Sequence, residues 1–289
     1  MHPAPSVIAF TTLSGAGFGM LAWLGLALPL VTGWEAFAYF TVAYLLSVGG
    51  LLASTFHLGH PERAHLAFTQ WRSSWLSREA CAAVAALTVM GIYAAGAVFL
   101  GAQWAILGWL GAALSLVTVF TTAMIYAQLR TVPRWRQPAT PALFLSLSLT
   151  GGAILTGNIA AALPLLLLSG GLQIAHWALG DRQFARSGST METATALGPI
   201  GRVRAFAPPH TGRNYLTDEM VFRIGRKHAR RLRALSLAMG SLAPALLLTL
   251  DQSAVVLPVA ASLHLAGVAA SRWLFFAEAE HTVGLYYGR

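Results

Sequence analysis

Eight stretches of the chain, at about 7–30, 36–56, 80–100, 103–128, 141–157, 159–178, 234–250 and 254–271, contain no Asp, Glu, Lys or Arg. Each is close to the roughly twenty apolar residues needed to cross a hydrocarbon core of about 30 Å. The expected fold is therefore all-α: a polytopic integral membrane protein, an eight-transmembrane-helix bundle forming a single domain over residues 1–289. The mean hydropathy of +0.62 agrees. The fifth and sixth stretches are the least regular, because only "TGNIA" separates them and Pro164 falls early in the sixth. One helix there would need about 38 residues, so two short spans fit the bilayer better.

Charge orients the bundle. With eight spans, both termini and the connections around 57–79, 129–140 and 179–233 fall on one side, and all 19 Lys and Arg fall there with them. The other side, made of "VTGWE", "GAQ", "TGN" and "DQS", carries Glu35 and Asp251 and no Lys or Arg. Lys and Arg accumulate in cytoplasmic loops, so both termini and the long loops are expected in the cytoplasm, with the chain multi-pass in a bacterial inner membrane. Topology thus accounts for a pI near 10.6 without nucleic acid. The lone Cys81 cannot hold an iron–sulfur cluster or a Cys-rich zinc site, and reads as a small buried apolar residue. The start, "MHPAPSVIAF", has neither twin arginine nor positive n-region, so the first apolar run reads as a retained span.

Against this background residues 56–79, "FHLGHPERAHLAFTQWRSSWLSRE", stand out. Gly59 and Pro61 break the second helix, leaving His57 near its last turn and His60 just outside. Histidine there titrates near neutrality. Arg63, Arg72 and Arg78 supply fixed donors, and Trp71 and Trp75 flat amphipathic faces at headgroup depth. Together these are the parts of a quinone site: an apolar slot, hydrogen bonds to the carbonyls, and a route for protons. His57, His60, Arg63, Trp71 and Arg72 are the candidate quinone-binding residues, while an aromatic belt with snorkelling arginines accounts for Trp75 and Arg78.

The C-terminal "SRWLFFAEAEHTVGLYYGR" brings Arg272, Glu278, Glu280 and His281 to one face, making Glu280 and His281 candidates for proton relay; a solvated terminal segment is the alternative. His176 and His264 lie at different depths, which disfavours a bis-histidine haem, and His264 is expected to bond a polar group on another helix. The membrane interior otherwise lacks ionisable groups, against a transporter with a midplane site; Gly49-Gly50 and Gly151-Gly152 could mark helix breaks of that kind, or simply close packing. In the loop 179–233 a Gly/Pro/Thr-rich part reads as irregular and "RIGRKHARRLR" as a basic helix, suited to anionic lipid or to an acidic soluble partner. Arg213, Tyr215, Arg226 and Lys227 are the candidate docking residues.

The pattern "FHLGHPERA", "SSWLSRE", "RTVPRW...TP" and a closing "EHTVGL" resembles the membrane anchor (C) subunit of the dimethyl sulfoxide reductase family over essentially the whole chain. The resemblance implies one subunit of a three-part enzyme, with molybdopterin and iron–sulfur clusters confined to a catalytic and an electron-transfer partner, no haem, and exchange with the quinone pool as ubiquinone or menaquinone. In that family the histidine of the HLG block is tied to quinol binding; the matching residue is His57. The long loop is similar to that of anchors of cytoplasmic quinone-linked sulfite dehydrogenases within the family, which implies sulfite oxidation. An anchor of a dimethyl sulfoxide, polysulfide or other oxyanion reductase is the same-class alternative, and a secondary transporter the alternative of another class.

Overall fold

The computed structural model describes residues 1–57, 59–207, 212, 214–220 and 228–287, and is helical throughout, with no strand among the described residues. Helix α1 spans Pro5–Gly25, α2 Gly33–Ala53, α3 Trp75–Ala95, α4 Ala105–Ala127, α5 Ala139–Leu155, α6 Ile159–Arg186, a short α7 Met191–Thr195, α8 Ala229–Leu250 and α9 Val256–Ala277. Seven of these are long and apolar enough to cross a membrane; α5, with 17 residues, falls short of the others. Its length of about 26 Å is just under the hydrocarbon thickness.

The helices differ from the charge-free runs for identifiable reasons. The first run was expected to continue to residue 30, but α1 stops at Gly25 and the chain turns at once, with Ala27 at a positive φ of 56°. The sixth was expected to end at 178, yet α6 carries on through Asp181, Arg182 and Arg186. A charge ends an apolar run without ending a helix. Between α5 and α6, Gly157 takes a φ of +70° and the Asn158 side chain accepts from the Ala161 N–H at 3.2 Å. Thr150 Oγ1 then donates to the Leu165 carbonyl at 3.2 Å, so the two helices form an antiparallel hairpin.

Helix α1 lies at the centre, packed against α2, α4, α5 and α9. Small residues allow this. A Cβ on Gly152 would run into the backbone of Gly19, and one on Gly50 into that of Ser14. Apolar burial gives helices little reason to associate inside lipid, so close backbone contact carries the packing. Helices α2 and α5 run unbroken through Gly49-Gly50 and Gly151-Gly152, where Gly50 and Gly152 form packing seams, and the discontinuous helices of a transporter are not formed there. Cys81, expected to be buried, is exposed on α3.

The long connections converge on one end of the bundle. The Met1 amino group donates to the Ala279 carbonyl at 2.8 Å, the His2 N–H to Glu219 at 2.8 Å, and the Thr282 N–H to Thr131 at 2.9 Å. Tyr286 Oη reaches Ala194 at 2.5 Å. The N-terminus, the C-terminal segment and the connections 129–140 and 179–233 are thus tied together, while Glu35 and Asp251 stand at the opposite end. Beneath the knot, Trp135 stacks on Phe275 with centroids 5.1 Å apart, Tyr126 meets both edge-on, and Trp135 Nε1 donates to the Phe275 carbonyl at 2.8 Å.

Candidate functional site

The segment leaving α2 tightens into a 3-10 turn at Ser54–His57 and, after Gly59, a second 3-10 stretch at Pro61–Phe68. Helix breaking by Gly59 and Pro61 is as expected. His57 closes the first turn; its side chain lies outside the described residues. His60 is exposed, its Nδ1 2.9 Å from Glu62 Oε1. Arg63 is exposed, and Trp71 and Arg72 are exposed with the guanidinium 5.5 Å over the indole. Four of the five candidates are therefore surface groups beside the end of α2.

Arg78 does more than snorkel. Its Nε donates to the Trp71 carbonyl at 3.0 Å and its NH2 to that of Arg72 at 2.6 Å, while its Cζ sits 4.3 Å over Trp75. One side chain thus folds the Trp71–Arg72 backbone onto the start of α3, which Ser74 caps by accepting from the Ser77 N–H. One turn on, Glu79 is buried, 4% exposed, and its carboxylate accepts from the Thr122 hydroxyl of α4. The charge-based reading started the third span at residue 80 and so passed over this residue. Its signal was present: Glu79 is the charge in "SSWLSRE" that enters the helix.

At the same end, Arg134 NH2 lies 2.9 Å from Glu278 Oε2 and 2.8 Å from Asp181 Oδ1. Arg233 grips Asp181 with two parallel bonds of 2.8 and 2.7 Å and also reaches Glu278 at 2.8 Å. Two cations and two carboxylates balance. They join the α4–α5 loop, α6, α8 and the end of α9, and fork-to-carboxylate geometry of this kind gives the strongest ion pairs. The sequence reading grouped Arg272, Glu278, Glu280 and His281 on one face, and the structure corrects this. Arg272 turns into the bundle, 2% exposed, with Cζ 3.5 Å over Phe144; Glu278 enters the ion network; only Glu280 and His281 remain half-buried at the edge. Glu79 and Arg272 also correct the expectation of an interior without ionisable groups. His264 behaves as expected, its Nδ1 2.6 Å from the Gly240 carbonyl of α8.

His281 Nδ1 accepts from the Val283 N–H at 3.0 Å, which requires an unprotonated nitrogen. Burial, then the nearby N-terminal amino group, lowers its pKa below the ordinary 6.5. A depressed histidine stabilises the docked C-terminal segment fully above its unfolded pKa and loses that contribution as pH falls through the folded value. Amide exchange over residues 280–287 is accordingly expected to be slow at pH 7.5 and, corrected for intrinsic rates, faster at pH 5. His281→Asn is expected to abolish the pH dependence, and exchange that is flat with pH in the wild type contradicts the assignment.

Of the docking candidates, Tyr215 is well exposed at 68%. Arg213, Arg226 and Lys227 lie outside the described residues. "RIGRKHARRLR", expected as a basic helix, is described only from His228, and its Ala229–Arg233 portion opens α8.

A family model described as DMSO reductase anchor subunit (DmsC) matches residues 1–165, from α1 into α6 and across the whole 56–79 segment. The chain is also 34% identical to the C subunit of the sulfite dehydrogenase of Allochromatium vinosum, over an alignment of 333 positions that covers 99% of each chain.

Proposed function

Because the chain belongs to the DMSO reductase anchor subunit (DmsC) family, we propose that it anchors a molybdopterin oxidoreductase and passes electrons from sulfite oxidation to the quinone pool. The observation that carries the reading is the end-to-end likeness to the C subunit of a sulfite dehydrogenase. The loop-rich end is then cytoplasmic, as the Lys/Arg bias argues, and the soluble partners dock there on the exposed face around Tyr215 and the adjoining basic segment with Arg213, Arg226 and Lys227.

In this mechanism the catalytic and iron–sulfur partners convert sulfite and water to sulfate, two protons and two electrons. This chain's residues hold the acceptor. His57 and His60, which follow α2, are assigned to hydrogen bonding of the quinone ring, Arg63 and Arg72 to orienting its carbonyls, and Trp71 to a flat apolar wall. Reduction of a quinone to quinol consumes two electrons and two protons. Glu79, a buried intramembrane carboxylate beside this segment, suits proton transfer to the ring, since such groups are costly to keep without a function. Glu280 and His281 stand at the same end for exchange with water.

Affinity purification of the tagged chain from native membranes tests the reading. Two co-purifying subunits with molybdenum, iron and sulfite-dependent quinone reduction are expected. The same subunits without sulfite activity keep the anchor and discard sulfite; quinol-driven reduction of an oxyanion or sulfoxide instead reverses the direction. A metal-free protein isolated alone, with cross-linking excluding dissociation in detergent, overturns the anchor. If quinone protons come from the side where sulfite is oxidised, no charge crosses the membrane. Turnover in sealed vesicles is then expected to generate no membrane potential directly, and a potential formed in parallel with sulfite consumption contradicts it.

A further inference from the structure

Helices α2 and α3 follow one another yet stand apart, with a groove between them of about 620 Å³. Phe37 and Phe99 lie at its far end, and Leu45, Val48 and Leu52 continue it along α2 toward the loop-rich end. Small residues make its depth: Gly49 on α2, and Gly91, Ala94 and Ala95 on α3. Two hydroxyl side chains, Thr41 and Tyr44, interrupt otherwise apolar walls, and Tyr44 Oη donates to the Leu87 carbonyl at 2.5 Å, which braces the two helices at fixed separation.

The dimensions choose among occupants. From Phe37 to Leu52 the groove follows α2 for about 22 Å, which gives a mean section of about 28 Å² for its volume. A helix about 10–12 Å across has a section of roughly 80–110 Å². A partner helix or a second copy of this chain would stand largely outside it, whereas a single hydrocarbon chain lies within its length. The groove's near end, at Leu52, lies immediately before the Ser54–His57 turn, the segment that ends in His57.

We propose that this groove seats the isoprenoid chain of the quinone whose ring lies beside His57, a proposal that rests on the preceding reading. The ring is then held by polar groups at the interface and the chain by α2 and α3, so that the helix pair selects long-chained quinones over tail-less ones.

Gly49 offers a clean test, because a Cβ there meets nothing within 4 Å, and a side chain on it extends into the groove. In the purified complex, Gly49→Phe and Ala95→Phe are expected to raise KM for a quinone with several isoprene units at least about tenfold. KM and kcat for the same ring without its chain stay as in the wild type. Ile92→Phe, on the exposed side of α3 outside the groove, leaves both substrates unaffected. Equal effects on the two quinones, or no effect on either, overturn the seat while leaving the quinone reading intact. A wild-type complex that reduces neither quinone overturns that reading and the seat with it. A quinone carrying a photoreactive group midway along its chain is expected to label α2 or α3 and to be displaced by unlabelled quinone. Displacement by phospholipid to the same extent makes the groove an acyl-chain site and overturns the proposal.

Discussion

His57→Ala is expected to lower sulfite-dependent quinone reduction by at least about 100-fold, the lower range of what a positioned acid–base group contributes. The residue ends the 3-10 turn that follows α2, where the chain leaves the apolar layer, and the groups around it are arginines and histidines on an exposed segment. Arginine can orient a carbonyl but remains protonated, so it cannot deliver a proton at neutral pH. Glu79 is buried on the neighbouring helix, and His57 is the histidine in the turn that directly continues α2. The assay must separate chemistry from assembly. His57→Ala is expected to co-purify with both partners at wild-type molybdenum and iron content, and to keep sulfite-dependent reduction of a soluble dye that accepts electrons without quinone. His57→Gln, which can hydrogen bond but not titrate, should restore KM in part and kcat hardly at all. Wild-type quinone turnover in His57→Ala removes the residue from the mechanism, and loss of the partners assigns it a structural role.

Glu278→Ala is expected to cost on the order of 3 kcal/mol, at the lower end of the range for removing one partner from a buried ion pair. Glu278 and Arg134 have side chains only 7% and 11% exposed, so deletion leaves two guanidinium groups facing a carboxylate, Asp181, that is itself 45% exposed and partly screened by water. That residual pairing is why the lower end applies. The measurement is the thermal midpoint of the detergent-solubilised chain, which should fall by several degrees, together with proteolysis at the C-terminal segment, which should speed up. Glu278→Gln keeps the side-chain volume and one acceptor oxygen, for one of the two arginines, and is expected to lose less. A Glu278→Ala chain as stable as the wild type makes the network incidental.

These two residues show how unevenly the site could be read from the chain. The break after α2 was legible because glycine and proline interrupt an otherwise apolar run, and a local break is a property of neighbouring residues. Arg78 was visible as a charge beside tryptophan, but nothing local says that it reaches back to the carbonyls of Trp71 and Arg72. Glu278 and Glu280 look alike in "AEAEH", and Arg272 looks like one more basic residue of that face. Their different fates depend on which helix stands opposite each.

What the amino-acid order determined by itself was the class of fold. Runs of apolar residues long enough for a bilayer leave the backbone little choice but the helix, since this effect acts on each segment independently. The tertiary structure decided the rest. It placed α1 at the centre, set α5 and α6 as a hairpin, paired Arg134 and Arg233 with Asp181 and Glu278, and left a chain-sized gap between α2 and α3. Each of these depends on residues far apart in sequence meeting at ångström separations, through small side chains that allow close approach in one place and an aromatic brace that prevents it in another.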